Sequence, residues 1–369
     1  MLINYLAVTD IPSRHANALQ IVQMCNGFIK NKHKVNLIIP NFKGLNYSLK
    51  SYYDVSSRIN IIKIGKNKGN LSKLENIIIP IKLVFRSFFI KSDLTITRNL
   101  VISLIFVLLG VKHILEIHDD IKISGNLLAK IFRIFKILNS SSIVRVIFIT
   151  NSLKNYISKK YFYKKKNFKI LSDATSIVKK KIFSISKNNY KIGYFGSIYK
   201  SRGIETIFKL AKIDKKNYYY IYGGLFEDVK ILRNKFKLKN LIFKSQITYK
   251  KVKKEIFKMD VLLMPYTDKA TSAGDVSNII KFMSPMKMFD YLGSGKVIIS
   301  SDIKVLREIL INNYNSILIK NYLDINSWKK QIDKVNLKSK KYIRIKKNAI
   351  KTASKHTWEE RASQMLAKI

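Results

Sequence analysis

Short apolar runs alternate along the chain with longer stretches in which apolar residues recur every three or four positions. The runs at 2–8, 35–39, 59–64, 93–97, 112–117, 144–150 and 168–171 are four to seven residues long and almost wholly apolar, the pattern of strands buried on both faces. Helical spacing separates them. At 18–30 the apolar positions are Leu19, Ile21, Val22, Met24 and Phe28, and further helices are expected at 71–90 (interrupted by Pro80), 100–111 and 151–161, the last opening on an Asn-Ser cap. After a stretch rich in Lys, Ser and Asn at 176–189 the alternation restarts. Strands are expected at 190–195, 218–222, 241–243, 261–264, 296–300 and 316–319, and helices at 204–212, 248–258, 324–334, 342–354 and 356–369. Regular strand–helix alternation of this kind predicts parallel sheets of the α/β class. The restart predicts two domains with 176–189 as linker, and 265–282, with Gly274, reads as a long loop.

The segment 283–311, MSPMKMFDYLGSGKVIISSDIKVLREILI, carries the sharpest local signals. Ser284 is expected at the N-cap and Pro285 at the first helical position, where its missing N–H costs nothing. The helix carries Met286, Phe289 and Tyr291 and stops at Gly293-Ser294-Gly295. A short strand follows, then Asp302 and a second helix through Ile311. Lys287 is the anomaly. A cation in the first turn opposes the positive end of the helix dipole, unless an anion binds there. The alternative is a solvated lysine in a lysine-rich chain.

With 369 residues the chain is long enough for two domains, and its 47% hydrophobic content suits a folded protein. A lone cysteine, Cys25, excludes an intramolecular disulfide framework and fits a reducing compartment, as a buried thiol. Charge is lopsided: 70 Lys and Arg face 23 Asp and Glu, a net +47. Nucleic acid or an anionic membrane would attract such a surface. The bases are spread out, however, no nucleic-acid motif accompanies them, and the accompanying Ile, Asn, Tyr and Phe suggest AT-rich coding. The expectation is therefore attraction to an anionic leaflet, with no nucleic-acid partner. Lys82, Arg86 and Lys91 on the helix at 71–90 suit such a surface; a plain core helix with a solvated face is the alternative. The opening MLINYLAVTD lacks the basic start and cleavage site of a signal peptide. The most apolar run, LVISLIFVLLGV, is well short of the roughly 20 residues needed to cross a bilayer. A cytoplasmic protein, peripheral at the inner face of the plasma membrane, is expected.

Ligands in open α/β sheets bind beyond the carboxyl ends of the strands. That rule places His118, after the strand at 112–117, at a binding rim. The next pair, Asp119-Asp120, is not a D-x-D metal motif. In the second half GSIYKSRG leads from strand to helix, a turn that can bring backbone N–H groups and nearby cations to an anion. It lacks the G-x-G-x-x-G spacing, and the GSGK at 293–296 is not a Walker loop.

The run from Ser284 to Glu308 resembles the donor-binding segment of glycosyltransferase family 4, often SPxKxFEYxxxGKPVVxSDxxxLREV. It is similar at Ser284, Pro285, Lys287, Phe289, Tyr291, Gly295, Lys296, Ser301, Asp302, Leu306, Arg307 and Glu308. Asp290 stands where the family has Glu, and Phe282 where the older motif has a second Glu, as in many members of the SPxK-type subgroup. Other segments add to the likeness: IPSRHANALQ near the start, the EIHD-type segment at His118, SDATS at the domain junction, the phosphate loop, Gln246-Ile247-Thr248 and the closing helix.

The resemblance implies a GT-B fold, two Rossmann-like domains facing a central cleft. The acceptor-side domain would be 1–183, the nucleotide-sugar domain 184–354, and 355–369 a helix packing back across both. It implies a retaining, metal-independent hexosyl transfer from a nucleotide sugar to an acceptor hydroxyl, with no cofactor. Arg202 and Lys287 would neutralise the leaving diphosphate and His118 would orient the sugar. Gly196, Ser197, Ile247, Ser284, Pro285, Met286 and Asp290 would bind the donor, with Asp290 on the ribose. Ser13, Arg14 and Asn17 would lie on the acceptor side. The acceptor expected by association is a lipid-linked saccharide of a cell-surface polysaccharide, a lipopolysaccharide or a capsule. Two other readings stand beside it: a nucleotide-sugar epimerase, for which no acid/base carboxylates are identified, and a basic nucleic-acid-binding protein, favoured by charge alone.

Overall fold

In the computed structural model the described residues are 1–42, 45–55, 58–68, 75–177, 189–268 and 278–369. Most of the expected linker, including the boundary at 183, and the middle of the 265–282 loop with Gly274 lie outside them. The chain forms two compact units, Met1–Asp173 with Trp358–Ile369, and Ala174–Thr357.

The first unit runs β1 (Leu2–Leu6), α1 (Ala16–Lys30), β2 (Lys34–Phe42), α2 (Leu49–Tyr53), β3 (Asn60–Lys68), α3 (Glu75–Phe88), β4 (Leu94–Thr97), α4 (Leu100–Leu108), β5 (His113–Ile117), α5 (Asn126–Ile134), β6 (Ile143–Phe148), α6 (Asn151–Lys160) and β7 (Phe168–Ile170). Its seven strands are parallel, in the order β3-β2-β1-β4-β5-β6-β7. The order reverses between β1 and β4, the point where such sheets open a crevice. Three asparagines help fix the register of one edge. Asn60 Nδ2 donates to Asn36 Oδ1 and Asn36 Nδ2 to Asn4 Oδ1, both at 2.9 Å, across residues that are register partners. A one-residue slip would break this ladder as well as turning the apolar set over.

The second unit runs β8 (Lys191–Phe195), α7 (Ile204–Ile213), β9 (Tyr218–Tyr222), α8 (Phe226–Lys235), β10 (Leu241–Lys244), α9 (Tyr249–Phe257), β11 (Val261–Met264), α10 (Met286–Ser294), β12 (Val297–Ser301), β13 (Ile317–Ile319), α11 (Ile325–Asp333) and α12 (Lys340–Ser354). Its sheet order is β10-β9-β8-β11-β12-β13, all parallel, reversing between β8 and β11. Strand residues alternate between two buried clusters. Ile192, Tyr194, Val261, Leu263, Val297 and Ile299 join one; Phe195, Leu262, Met264 and Ile298 join the other. Helices cover both faces, which is why these strands read as unbroken apolar runs.

The last helix, α13 (Trp358–Leu366), belongs to the first unit. It lies so close to α1 that a Cβ on Gly27 would sit 2.4 Å from the Trp358 carbonyl oxygen. Lys30 pairs with Glu359, Asn31 Nδ2 donates to the Glu359 carbonyl (2.8 Å), and Arg145 Nη1 donates to the Met365 carbonyl (2.8 Å) at its far end. Cys25 is buried on α1, and burial raises its thiol pKa, the satisfied core position expected of it.

Three local expectations are corrected. Pro285, not Ser284, occupies the N-cap of α10, with ψ 118°, and Met286 is the first helical residue. Thr150 rather than Asn-Ser caps α6, its hydroxyl accepting from Leu153 N at 3.1 Å. The helix expected through Ile311 is a single 3-10 turn, Leu306–Glu308. There the Asn315 side chain takes the groups a helix would have used, accepting from Ile311 N (2.8 Å) and donating to the Ile309 carbonyl (2.9 Å). Helices α2, α5 and α8 were not anticipated from the pattern.

Candidate active site

In the second unit the functional residues converge at the switch point between β8 and β11. Lys287 is the second residue of α10. Its Nζ lies 4.1 Å from the centre of the Tyr194 ring and 5.3 Å from that of Tyr266, just beyond β11. Arg202, in the turn before α7, sits over the other side of the cluster, 5.9 Å from the Tyr266 ring centre. Gly196 ends β8 with φ +147°, and a Cβ there would be 2.5 Å from Lys287 Nζ. Gly196 thus leaves room for the Lys287 side chain where it lies, in a backbone conformation that favours glycine. Tyr291, one turn beyond Lys287, accepts from Phe195 N at 2.8 Å and ties α10 to the end of β8.

This arrangement is electrostatically incomplete. Burial, and then the nearby Arg202 charge, hold the Lys287 pKa well below its ordinary value. No carboxylate pairs with either cation among the described residues. Cation–π contacts return about 0.5–2 kcal/mol each, against several kcal/mol for desolvating an ammonium. Lys287 and Arg202 stand beside the N-terminus of α10, the kind of arrangement that attracts anions.

Around it, Ser284 is buried, Pro285 and Met286 open α10, and Ser197 is exposed, its carbonyl accepting from Tyr194 Oη at 2.7 Å. Ile247 packs against the core next to Thr248, whose hydroxyl accepts from Lys251 N and caps α9. Asp290 is buried, and its Oδ1 accepts from the hydroxyls of Thr175 and Tyr249, both at 2.7 Å. Burial raises its pKa, against the pull of Lys253 and those two hydroxyls. Its Oδ1 is thus already engaged within the unit.

In the first unit His118 follows β5, two strands from β1. Its Nε2 is 2.9 Å from Oε1 of Glu116, a wholly buried carboxylate. Glu116 also accepts from Gln20 Nε2 (2.8 Å), from Tyr5 Oη (3.3 Å) and from Arg361 of α13. Burial alone would raise its pKa; Arg361, His118 and Arg98 outweigh that and hold it well below the usual carboxylate range. Burial, and then Arg98, push His118 down to about 4, so the ring is neutral near pH 7. Asp120 is structural. It accepts from Tyr156 (2.7 Å), Lys160 (2.6 Å) and Tyr161 (2.6 Å), and no group of three or more metal-ligating residues occurs among the described residues. Ser13 and Asn17 lie beyond β1: Ser13 N donates to Tyr53 Oη (2.8 Å), and Asn17 Nδ2 to Thr9 Oγ1 (3.3 Å). Arg14 is exposed. Tyr194, Tyr266, Glu116 and Arg361 were not singled out from the sequence, since each reads there as an ordinary core or surface residue.

Each unit is a doubly wound parallel sheet, and in the second Lys287 and Arg202 stand at the switch point between β8 and β11. Residues 154–352, more than half the chain, match the family described as glycosyl transferases group 1, and the chain belongs to that family. No curated protein matches it. Among solved structures, sucrose-phosphate synthase from Thermosynechococcus elongatus superposes with a TM-score of 0.73 at 14% identity, over 99% of this chain and 97% of that one. Anabaena HepE in complex with UDP and glucose gives 0.71 at 12%, over 100% and 99%. WaaG, a glycosyltransferase involved in lipopolysaccharide biosynthesis, gives 0.68 at 11%, over the full length of both. The fold is GT-B, and the protein is a glycosyltransferase.

Proposed function

We propose that the protein moves a sugar from a nucleotide-sugar donor to an acceptor hydroxyl, retaining the anomeric configuration without a metal or a resident cofactor. The observation that carries this is the convergence of Lys287 and Arg202 at the switch point of the second sheet, beside the start of α10. The chemical obstacle in such a transfer is charge building on the departing diphosphate. Fixed cations and helix-end N–H groups stabilise it as it develops. Arg202 offers a planar fork for two phosphate oxygens, Lys287 a point charge, and Gly196 the clearance for the lysine. Pro285 and Met286 set the start of α10, Ser284 and Ser197 line its approach, Ile247 would meet the base, and Asp290 would accept from ribose hydroxyls through Oδ2. His118 would orient the sugar, with Ser13, Arg14 and Asn17 toward the acceptor.

The HepE complex with UDP and glucose supports a uridine-nucleotide sugar as the first donor to try. A lipid-linked saccharide acceptor, in lipopolysaccharide or capsule assembly, is supported by the WaaG likeness and by the outer face of α3. Ile77, Ile81, Phe85 and Phe88 lie exposed at three- and four-residue spacing there, with Phe89 beside them and exposed Lys82, Arg86 and Lys91 flanking the row. Its inner face, with Leu83 and Val84, is in the core. A helix apolar on both sides and basic along the outer one suits peripheral contact with an anionic leaflet, which would put the protein at the cytoplasmic face. Among the described residues no helix is long and apolar enough to cross a membrane.

Calorimetric titration with UDP and GDP tests the donor site. Binding of one nucleotide, lost in Arg202→Ala and unchanged by EDTA, is the expected result. Silence toward a full nucleotide panel, with DNA bound instead, would sink the reading.

A further inference from the structure

Glu116 is a buried carboxylate with a full set of side-chain partners that the transfer chemistry leaves unused. Four side chains from four separate parts of the first unit reach it: Tyr5 of β1, Gln20 of α1, His118 beyond β5 and Arg361 of α13. Arg361 does more than pair with it. Its Nε donates to the Ser172 carbonyl (2.8 Å) and its Nη2 to the Leu171 carbonyl (3.0 Å), so the guanidinium plane is fixed before it meets the carboxylate. Arg98, on the other flank, donates through Nη1 to Gln20 Oε1 (2.9 Å), which turns the Gln20 amide nitrogen toward Glu116. Each donor in this chain has a single consistent direction.

That consistency determines the proton on His118. An ionised carboxylate can only accept, so the hydrogen of the His118–Glu116 contact belongs to His118 Nε2. In a neutral ring the other nitrogen then carries the lone pair. His118 Nδ1 makes no hydrogen bond among the described residues.

We infer that Arg361 of the closing helix, acting through Glu116, is a positioning residue that locks His118 as the Nε2–H tautomer and so makes Nδ1 an acceptor for a sugar hydroxyl. The inference rests on His118 serving the sugar, as proposed above. It gives the last helix of the chain a part in substrate orientation beyond its part in folding. The charged groups around the imidazole are Glu116 of β5, Arg361 of α13 and Arg98 after β4, and the two cations disfavour an imidazolium. Without Arg361, Glu116 would lose its main countercharge, burial would favour its protonated form, and a protonated carboxyl could donate to Nε2 and reverse the tautomer.

The test is two-bond proton–nitrogen correlation on the full chain labelled with 15N-histidine, the His118 signals being identified by their loss in His118→Asn. At pH 7 the wild type should show a neutral ring protonated at Nε2. Arg361→Met, which removes the countercharge, and Glu116→Gln should mix in the Nδ1–H form and lower turnover by about 100-fold, the scale of a misplaced reacting group. Donor-nucleotide affinity should stay unchanged in both. A wild-type ring protonated at Nδ1, or charged, overturns the inference; so does an unaltered tautomer in both variants. If Glu116→Gln does not fold, the wild-type spectrum and Arg361→Met still decide. Full turnover in His118→Ala would instead remove His118 from the transfer, whatever the tautomer proves to be.

Discussion

Lys287 is the residue whose ionisation a diphosphate at the proposed site would change. Its amine is held well below the ordinary lysine value by burial and by Arg202, so the free protein carries it partly or wholly neutral over a range of pH where a free lysine would be charged. A bound diphosphate reverses the second influence and favours the ammonium. Nucleotide binding should therefore take up protons, and affinity should rise as pH falls through the window between the depressed value of the free protein and the higher one of the complex. Calorimetry with UDP in two buffers of different ionisation enthalpy measures that uptake directly, and Lys287→Met should abolish it. Uptake that persists in the variant would assign the proton elsewhere. This lysine was legible in the sequence as a cation at the wrong end of a helix, because helix polarity is a local property. Tyr194 and Tyr266, which floor the same site, were not: one sits inside a strand and the other follows one, and only the sheet order brings them to Lys287. Glu116 was hidden in the same way, as one polar letter in an apolar strand whose partners lie up to 245 residues away.

Elements were readable where their signal was periodic and misread where a neighbour overrode it. Every expected strand is present; in the central ones burial on both faces leaves an unmistakable run, while the edge strand β7 is only half-buried. At 303–311 one asparagine side chain holds the backbone groups in place of a continuing helix, and the unforeseen α5 carries Leu127, Leu128, Ile131 and Phe132 at helical spacing, of which only Phe132 is buried. Two predictions belong at this scale. The approach of α13 to α1 leaves no room for a side chain at Gly27, where the obstructing atom is backbone. Gly27→Ala should cost about 1–3 kcal/mol, as overpacking does, despite the better helix propensity of alanine, and thermal melting reads it. A raised midpoint would mean that α13 docks more loosely than described. At the end of α3, Phe85 and Phe89 lie edge to face with ring centres 5.1 Å apart and both rings largely in solvent. The double change Phe85→Ser with Phe89→Ser should leave the melting midpoint within about 0.5 kcal/mol of wild type, as exposed positions do, yet weaken co-sedimentation with phosphatidylglycerol vesicles. Equal binding by the variant would assign membrane contact to another surface; a concentration-dependent dimer in wild type alone would assign α3 to a second copy of the chain.

Across the whole molecule the net charge of +47 acts on two classes of ligand that differ in how deep the cations lie. Most lysines are exposed and spaced along both units, and their pull on an anionic leaflet is worth about 1 kcal/mol for each one near the surface, within a Debye length of about 10 Å at 0.1 M salt. Lys287 lies against the Tyr194 ring, in a niche lined by protein rather than ions, where screening is weaker. Raising the salt from about 0.1 M to about 1 M, which contracts the Debye length to about 3 Å, should therefore remove most vesicle binding while changing nucleotide affinity much less. Parallel vesicle sedimentation and UDP titration at the two salt concentrations separate the cases. A nucleotide affinity that collapses together with vesicle binding would mean that UDP is held by the diffuse surface charge, and the niche at the β8–β11 switch point would lose its claim to the diphosphate. A steady nucleotide affinity with vesicle binding lost would show one basic chain using its charge in two ways: a diffuse field that brings it to a surface, and two buried-side cations that act on the leaving group.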